Sequence, residues 1–202
     1  MSSIATRRLR LAVLVSALLA LVSPSQPTLG QMALAPGDLA PALTGVTFPV
    51  KTRYASDWSR NKLTLVNFWA TWCEPCRKEM PVLQQLFEDQ VVQGFRVVGV
   101  FERWETDQVG PYLEQIPLTY TIIRPDAIVD HSWGRINLKP TSFLVNQDGR
   151  ILRRYVGASA EQIKGLVADV EAALVGSPLP TQVMPTAEAL PEEFKERLGG
   201  KK

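Results

Sequence analysis

Two cysteines, Cys73 and Cys76, lie three residues apart in the segment Trp72-Cys73-Glu74-Pro75-Cys76, and the 202-residue chain contains no others. A bridge across so short a loop constrains the unfolded chain by only about 2 kcal/mol, against nearly 5 kcal/mol for a 100-residue loop. Stapling the fold is therefore a poor use of this pair. Reversible thiol–disulfide exchange is a better one, provided the setting is right. Residues 63–69, Leu-Thr-Leu-Val-Asn-Phe-Trp, form an unbroken run of β-formers that reads as a buried strand, and a helical pattern follows Cys73 to about Val92. A helix N-terminus presents unpaired backbone N–H groups and the positive end of the helix dipole, and both stabilise a thiolate. Cys73 is thus expected to be the exposed, readily ionised nucleophile. Cys76, one turn inward, is the resolving thiol that attacks a mixed disulfide and releases the partner. Pro75 suits the first turn, where its missing N–H would have no intrahelical acceptor.

Other uses of the two sulfurs fit less well. Haem attachment needs a histidine after the second cysteine, and Arg77 stands there. A structural zinc site needs four ligands, and the chain offers two cysteines and one distant histidine, His131. Two thiolates are soft enough to hold Cu(I), so a copper-binding assembly module stays open, with Met80 as the nearest further soft group.

Further along the helix, Glu79 shares a stripe with Val82, Leu83 and Leu86, while Arg77, Lys78, Gln84, Gln85 and Glu88 fall on the outer side. A carboxylate on an apolar stripe near two sulfurs has a raised pKa and can relay a proton to or from Cys76. The plain alternative is a half-exposed glutamate completing the first turns. Trp69 reads as core and Trp72 as the lip of the site. His131 reads as a surface histidine, and the cluster Glu102-Arg103-Trp104-Glu105 as a loop open to a partner.

The elements that must hold these residues form a strand–helix–strand unit ending at Phe95–Phe101. A helix at 106–115, a short strand at 120–123 and two strands at 141–145 and 151–156 follow. Asn146-Gln147-Asp148-Gly149 supplies the turn between the last two strands. An amphipathic helix at 160–174, with Ser159 or Ala158 near its start, closes the domain. This order predicts an α/β fold: a central mixed sheet with helices on both faces, fed by a leading strand or hairpin within 32–62. At 46% hydrophobic, the chain can build one ordinary core, assigned to residues 32–175.

The ends read differently. Residues 1–31 carry Arg7, Arg8 and Arg10 with no acid, then a dozen apolar residues at 11–22. That run is too short for the ~20 residues of a spanning helix and matches a signal peptide, or else a short N-terminal membrane anchor. Either way the domain is expected outside the cytoplasm, in the periplasm or on the outer face of the membrane. Residues 176–202 hold Pro178, Pro180, Pro185 and Pro191 and read as a flexible tail. Without the leader, 19 basic and 20 acidic side chains remain, which argues against nucleic-acid binding.

The stretch Asn67-Phe68-Trp69-Ala70-Thr71-Trp72-Cys73-Glu74-Pro75-Cys76-Arg77-Lys78-Glu79-Met80-Pro81 resembles the active-site segment of the TlpA/ResA-type thioredoxins of the bacterial envelope. The similarity continues through Pro140-Thr141-Ser142-Phe143-Leu144-Val145 and Asp148-Gly149. The resemblance implies a thioredoxin-like fold with the CxxC at the start of the first main helix, and a reversible Cys73–Cys76 disulfide with no other cofactor. It also matches Pro140 to the family's cis-proline, beside which the backbone of Lys139 pairs with a substrate strand, with Trp72, Glu74 and Pro75 completing the contact surface. Thioredoxins proper carry a buried aspartate where this chain has Asn67, and Glu79 is the candidate substitute. A peroxidase is disfavoured because no cysteine stands in a Thr-x-x-Cys setting.

The function so implied is reduction of disulfides in exported proteins or apocytochromes, as in cytochrome c or cytochrome oxidase assembly. Electrons would come from a membrane donor of the DsbD/CcdA type, and the protein would act as a monomer. An oxidase or isomerase running the same pair the other way remains the alternative.

Overall fold

A computed structural model describes residues 33–134 and 136–179. The leader at 1–31, and the part of the expected tail from residue 180 onward, lie outside the described residues. In chain order the elements are β1 (Thr44–Phe48), β2 (Arg53–Ala55), β3 (Leu63–Trp69), α1 (Glu74–Gln90), β4 (Phe95–Phe101), α2 (Thr106–Leu113), β5 (Thr121–Pro125), α3 (Ala127–Ser132), β6 (Thr141–Asn146), β7 (Ile151–Val156) and α4 (Ala160–Leu174). The strands make one sheet in the order β2-β1-β5-β4-β3-β6-β7. β3, β4 and β5 run parallel, whereas β1 pairs antiparallel with β5 and β6 antiparallel with β3. The sheet is therefore mixed, as the alternation of elements predicts.

β3 is buried at every position because both of its faces are covered. Leu63, Leu65 and Trp69 pack with Met80 and Leu83 of α1, Val109 of α2 and Leu166 and Val170 of α4. Val66 and Phe68 turn the other way, towards Val129 of α3, Trp133 and Phe143. On that second face Trp133 lies 5.2 Å from Phe143 and 5.5 Å from Phe68, centroid to centroid. Among the described residues no helix is long and apolar enough to cross a membrane.

The local signals explain most boundaries. α4 opens on a capping box: Ser159 Oγ accepts from the Gln162 N–H, and Gln162 Oε1 accepts from the Ser159 N–H. The β6–β7 turn is held by Asn146 Oδ1, which accepts from the N–H groups of Asp148 and Arg150. Gly149 supplies the left-handed φ of 74° that the turn needs.

Three expectations need correction. Gln84, assigned to the outer side of α1, is 9% exposed. Its amide oxygen accepts from Thr119 N–H and its amide nitrogen donates to Thr119 Oγ1, so it fastens the segment ahead of β5 to the helix. α2 ends at Leu113 rather than 115. α3 lies within 126–133, where no element was expected.

Candidate functional site

The parallel strands β3 and β4 end side by side, with Trp69 paired to Phe101. β6 runs the opposite way, so it begins at that same end of the sheet, with Thr141 paired to Phe68. Three connections therefore meet there: the turn 70–73 into α1, the loop after β4, and the loop that reaches β6 through Lys139 and Pro140.

Cys73 is the N-cap residue of α1, and Cys76 closes its first turn. The two are joined as a disulfide, and Cys73 Sγ also accepts from the Cys76 N–H at 3.2 Å. One N–H of the first turn, which has no intrahelical acceptor, thus faces the Cys73 sulfur. Cys76 is fully buried, and Cys73 is only 3% exposed. The exposed nucleophile expected from the sequence is, in this oxidised state, covered. Its sulfur is tied back over the first turn instead of projecting, and what reaches solvent beside it are Trp72, 57% exposed, with Glu74 and Pro75. Glu74 turns along the helix to pair with Lys78 at 3.1 Å, which holds its carboxyl below the usual range.

Beneath the disulfide lies a buried polar group. Glu79, three residues along the helix from Cys76 and so on the same side of it, is 2% exposed. Burial pushes its carboxyl up to about 7, offset in part by a hydrogen bond from Asn67 Nδ2 at 3.0 Å. Asn67 Nδ2 also donates to Ser142 Oγ at 2.9 Å across the β3–β6 pairing. Tyr120 is buried nearby, its hydroxyl pushed up first by burial and then by the charge of Glu79. Gly99, opposite Asn67 on β4, lets these groups close in: a Cβ there would fall 2.6 Å from Ile122 Cδ1, 3.1 Å from Trp69 Nε1 and 3.3 Å from Tyr120 Cε2.

The loop after β4 supplies two anchors. Glu105 is fully buried and accepts from the Thr71 N–H at 3.2 Å and from Thr71 Oγ1 at 2.6 Å. That fixes the turn ahead of Cys73 from outside its own strand. Glu102 pairs with Lys139, whose ammonium also donates to the Ile136 carbonyl. Lys139 precedes Pro140, and the peptide bond between them is cis. The Pro140 carbonyl is taken by the Gly157 N–H.

Residues 36–154 match the AhpC/TSA family. The chain belongs to that family. Among the relatives of this AhpC/TSA chain is the thiol-disulfide oxidoreductase ResA of Bacillus thuringiensis (strain Al Hakam), 30% identical over 114 residues, or 55% of this chain and 65% of the relative. The thiol:disulfide interchange protein CycY of Rhizobium leguminosarum bv. viciae is 38% identical over 126 residues, or 59% of this chain and 64% of CycY. The match thus spans less than two thirds of the length of either relative. A solved thiol:disulfide interchange protein of the thioredoxin family from Chlorobium tepidum TLS superposes with a TM-score of 0.59 at 28% identity, covering 70% of this chain and 99% of that one. The thioredoxin-like fold and the kinship with ResA-type proteins, both read from residues 67–81 and 140–149, are borne out.

Within this AhpC/TSA chain the sequence-marked residues fall into two groups. Trp72, Cys73, Glu74, Pro75, Cys76 and Glu79 gather at the start of α1, and the sheet register brings Lys139 and Pro140 to the same end. His131 is exposed, on the rim of a cavity of about 210 Å3 that also has Glu102, Asp130 and Lys139 in its wall. Met80, considered as a further soft ligand, is fully buried and its sulfur accepts from the Tyr112 hydroxyl. Sequence reasoning missed the Glu105–Thr71 contact, the Ser142 hydroxyl and the tight packing at Gly99. The only trace of the first was an acidic residue placed just beyond a buried strand.

Proposed function

We propose that this protein is an exported thiol–disulfide oxidoreductase that reduces disulfides in other exported proteins. The observation that carries the reading is the Cys73–Cys76 pair at the N-terminus of α1, with the buried Glu79 three residues further along the same side of the helix, its carboxyl pushed up by burial to about 7. In the dithiol form, the Cys73 thiolate attacks one sulfur of a substrate disulfide. A mixed disulfide forms and the other substrate sulfur leaves as a thiolate. Cys76 then gives its proton to the Glu79 carboxylate and attacks Cys73 Sγ. The Cys73–Cys76 bond forms, the second substrate sulfur leaves, and two electrons have passed to the substrate. The backbone of Lys139 beside Pro140 is the docking edge for an extended substrate segment, with Trp72 packing over it.

Support for export comes from the basic and apolar leader, and support for the reducing direction from the resemblance to TlpA/ResA-type proteins. On this reading the substrates include apocytochromes or oxidase subunits, and a membrane donor of DsbD/CcdA type regenerates the dithiol. The test is the reduction potential of Cys73–Cys76 in defined thiol buffers, together with trapping of mixed disulfides by Cys76→Ser. A potential near the thioredoxin value of about −270 mV, with trapped exported partners, is the expected outcome. One near about −120 mV would reverse the direction to disulfide donation.

A further inference from the structure

The amide of Asn67 sits at the centre of the buried polar group and is only half used. Nδ2 is committed twice, to Glu79 Oε2 and to Ser142 Oγ. Oδ1 is buried and accepts from no partner among the described residues. Buried acceptors are rarely left this way, and each one invites an explanation.

The arrangement suits an ionised Glu79, which needs donors. The protonated acid keeps one oxygen that can accept, but its new O–H needs an acceptor, and the donor end of the amide offers none while Oδ1 stands unpaired. Rotating the terminal amide by half a turn exchanges Oδ1 for Nδ2, and this torsion is broad and two-fold in asparagine. Oδ1 then accepts from the protonated Glu79. It also accepts from Ser142, whose hydroxyl donates or accepts as required. In either orientation one end of the amide is paired twice and the other is unpaired. The two orientations are therefore closely balanced, and the proton on Glu79 decides between them.

We propose that Asn67 is a positioning residue whose amide turns by half a rotation whenever Glu79 gains or loses its proton, with Ser142 as the stationary partner for both orientations. The inference rests on the reading of Glu79 as the proton acceptor for Cys76. As Cys76 resolves the mixed disulfide, its proton moves to a Glu79 carboxylate oxygen and the new O–H donates to Asn67 Oδ1. No electrons move at Asn67. The titratable groups packed around the pair are Cys76 on α1, Tyr120 ahead of β5 and Tyr112 on α2, and both tyrosine hydroxyls are pushed up by burial and stay neutral where Glu79 titrates. Arg77 acts on Tyr112 from the outer side of α1.

The test is NMR of the full-length oxidised protein, labelled with 13C and 15N, across the ionisation of Glu79. Glu79 Cδ and Asn67 Cγ are expected to follow one midpoint, and the contacts of the Asn67 Nδ2 protons with Glu79 and Ser142 are expected to vanish on acidification. An amide that keeps those contacts throughout overturns the proposal. In kinetics, Asn67→Leu is expected to move the pH midpoint of Cys76-driven release up by roughly one unit, about tenfold in rate below the midpoint. A purely structural role would leave that midpoint in place. Glu79→Gln separates the two levels: release as fast as wild type defeats the relay itself, whereas slow release with a static wild-type amide defeats only the rotation.

Discussion

Replacing Glu79 by Gln is expected to make the folded protein more stable and its exchange chemistry slower, with the gain in stability confined to neutral and alkaline pH. Burial lifts the Glu79 carboxyl from 4.5 to about 7. Between those values the native state holds a proton that the unfolded chain has released, so wild-type stability falls as pH rises through the window. Below it, both states are protonated and ionisation contributes nothing. Above it, the folded protein carries the whole cost of a buried charge. At 1.36 kcal/mol per pH unit, the gap between 4.5 and about 7 corresponds to about 3 kcal/mol. Gln keeps an acceptor for Asn67 Nδ2 and cannot ionise, and groups common to both proteins cancel in the difference. The assay is urea denaturation of oxidised wild type and Glu79→Gln at a series of pH values, followed by far-UV circular dichroism. The two stability curves should diverge by up to ~3 kcal/mol towards alkaline pH and run parallel at the acid end. A constant difference across the window, or one that grows on acidification, would refute the account of Glu79 as a buried, proton-holding carboxylate. In the same preparations, release of a mixed-disulfide partner by Cys76 should slow by about 10²-fold.

Gly99→Ala should destabilise the oxidised protein by about 1–3 kcal/mol, because its Cβ meets Ile122 at 2.6 Å and Trp69 at 3.1 Å; an unchanged thermal midpoint would mean that Ile122 simply rotates away. Glu102→Ala leaves the Lys139 ammonium, whose side chain is 10% exposed, with the Ile136 carbonyl as its hydrogen-bond partner and the more distant charge of Asp130. Denaturant titration should read a loss of about 1–3 kcal/mol, less than for a wholly buried pair because Glu102 is 26% exposed. Ser159→Ala removes the acceptor for the Gln162 N–H and should cost about 1 kcal/mol in the same measurement.

What could be read in advance was whatever local pattern dictates. β3 and β4 are unbroken apolar runs and fall at Leu63–Trp69 and Phe95–Phe101 as read. α4 starts where Ser159 and Gln162 make their reciprocal bonds. α3 escaped notice because six residues are too few to show a helical period, and its N-cap residue Asp126 makes no side-chain capping bond, its carboxylate being held by Arg53 instead. Gln84 was misassigned because turn counting places a residue on a face without knowing that the chain ahead of β5 returns to cover it. Glu105 sits in a cluster that reads as a loop open to a partner, and only the approach of Thr71, 34 residues away in the chain, makes it a buried anchor. At the site, the placement of Cys73 and Cys76 at a helix start follows from the strand before them, and that of Glu79 on the inner side of the helix from counting turns. The use of Ser142 depends on sheet register, which no local pattern specifies.

Within the loop that follows β4, Glu102 is fastened to Lys139 and Glu105 to Thr71, with Arg103 and Trp104 alone between them. The segment has no slack. Inserting or deleting a single residue there displaces one carboxylate by about 3.8 Å along the chain, beyond the reach of a hydrogen bond to its partner. Surface loops ordinarily tolerate such changes in length, and length variation among related chains is expected to collect in other connections, such as the one between β1 and β2. Trp104, 64% exposed, can be exchanged for another residue without disturbing either anchor. The number of residues in this loop is constrained more tightly than their identity.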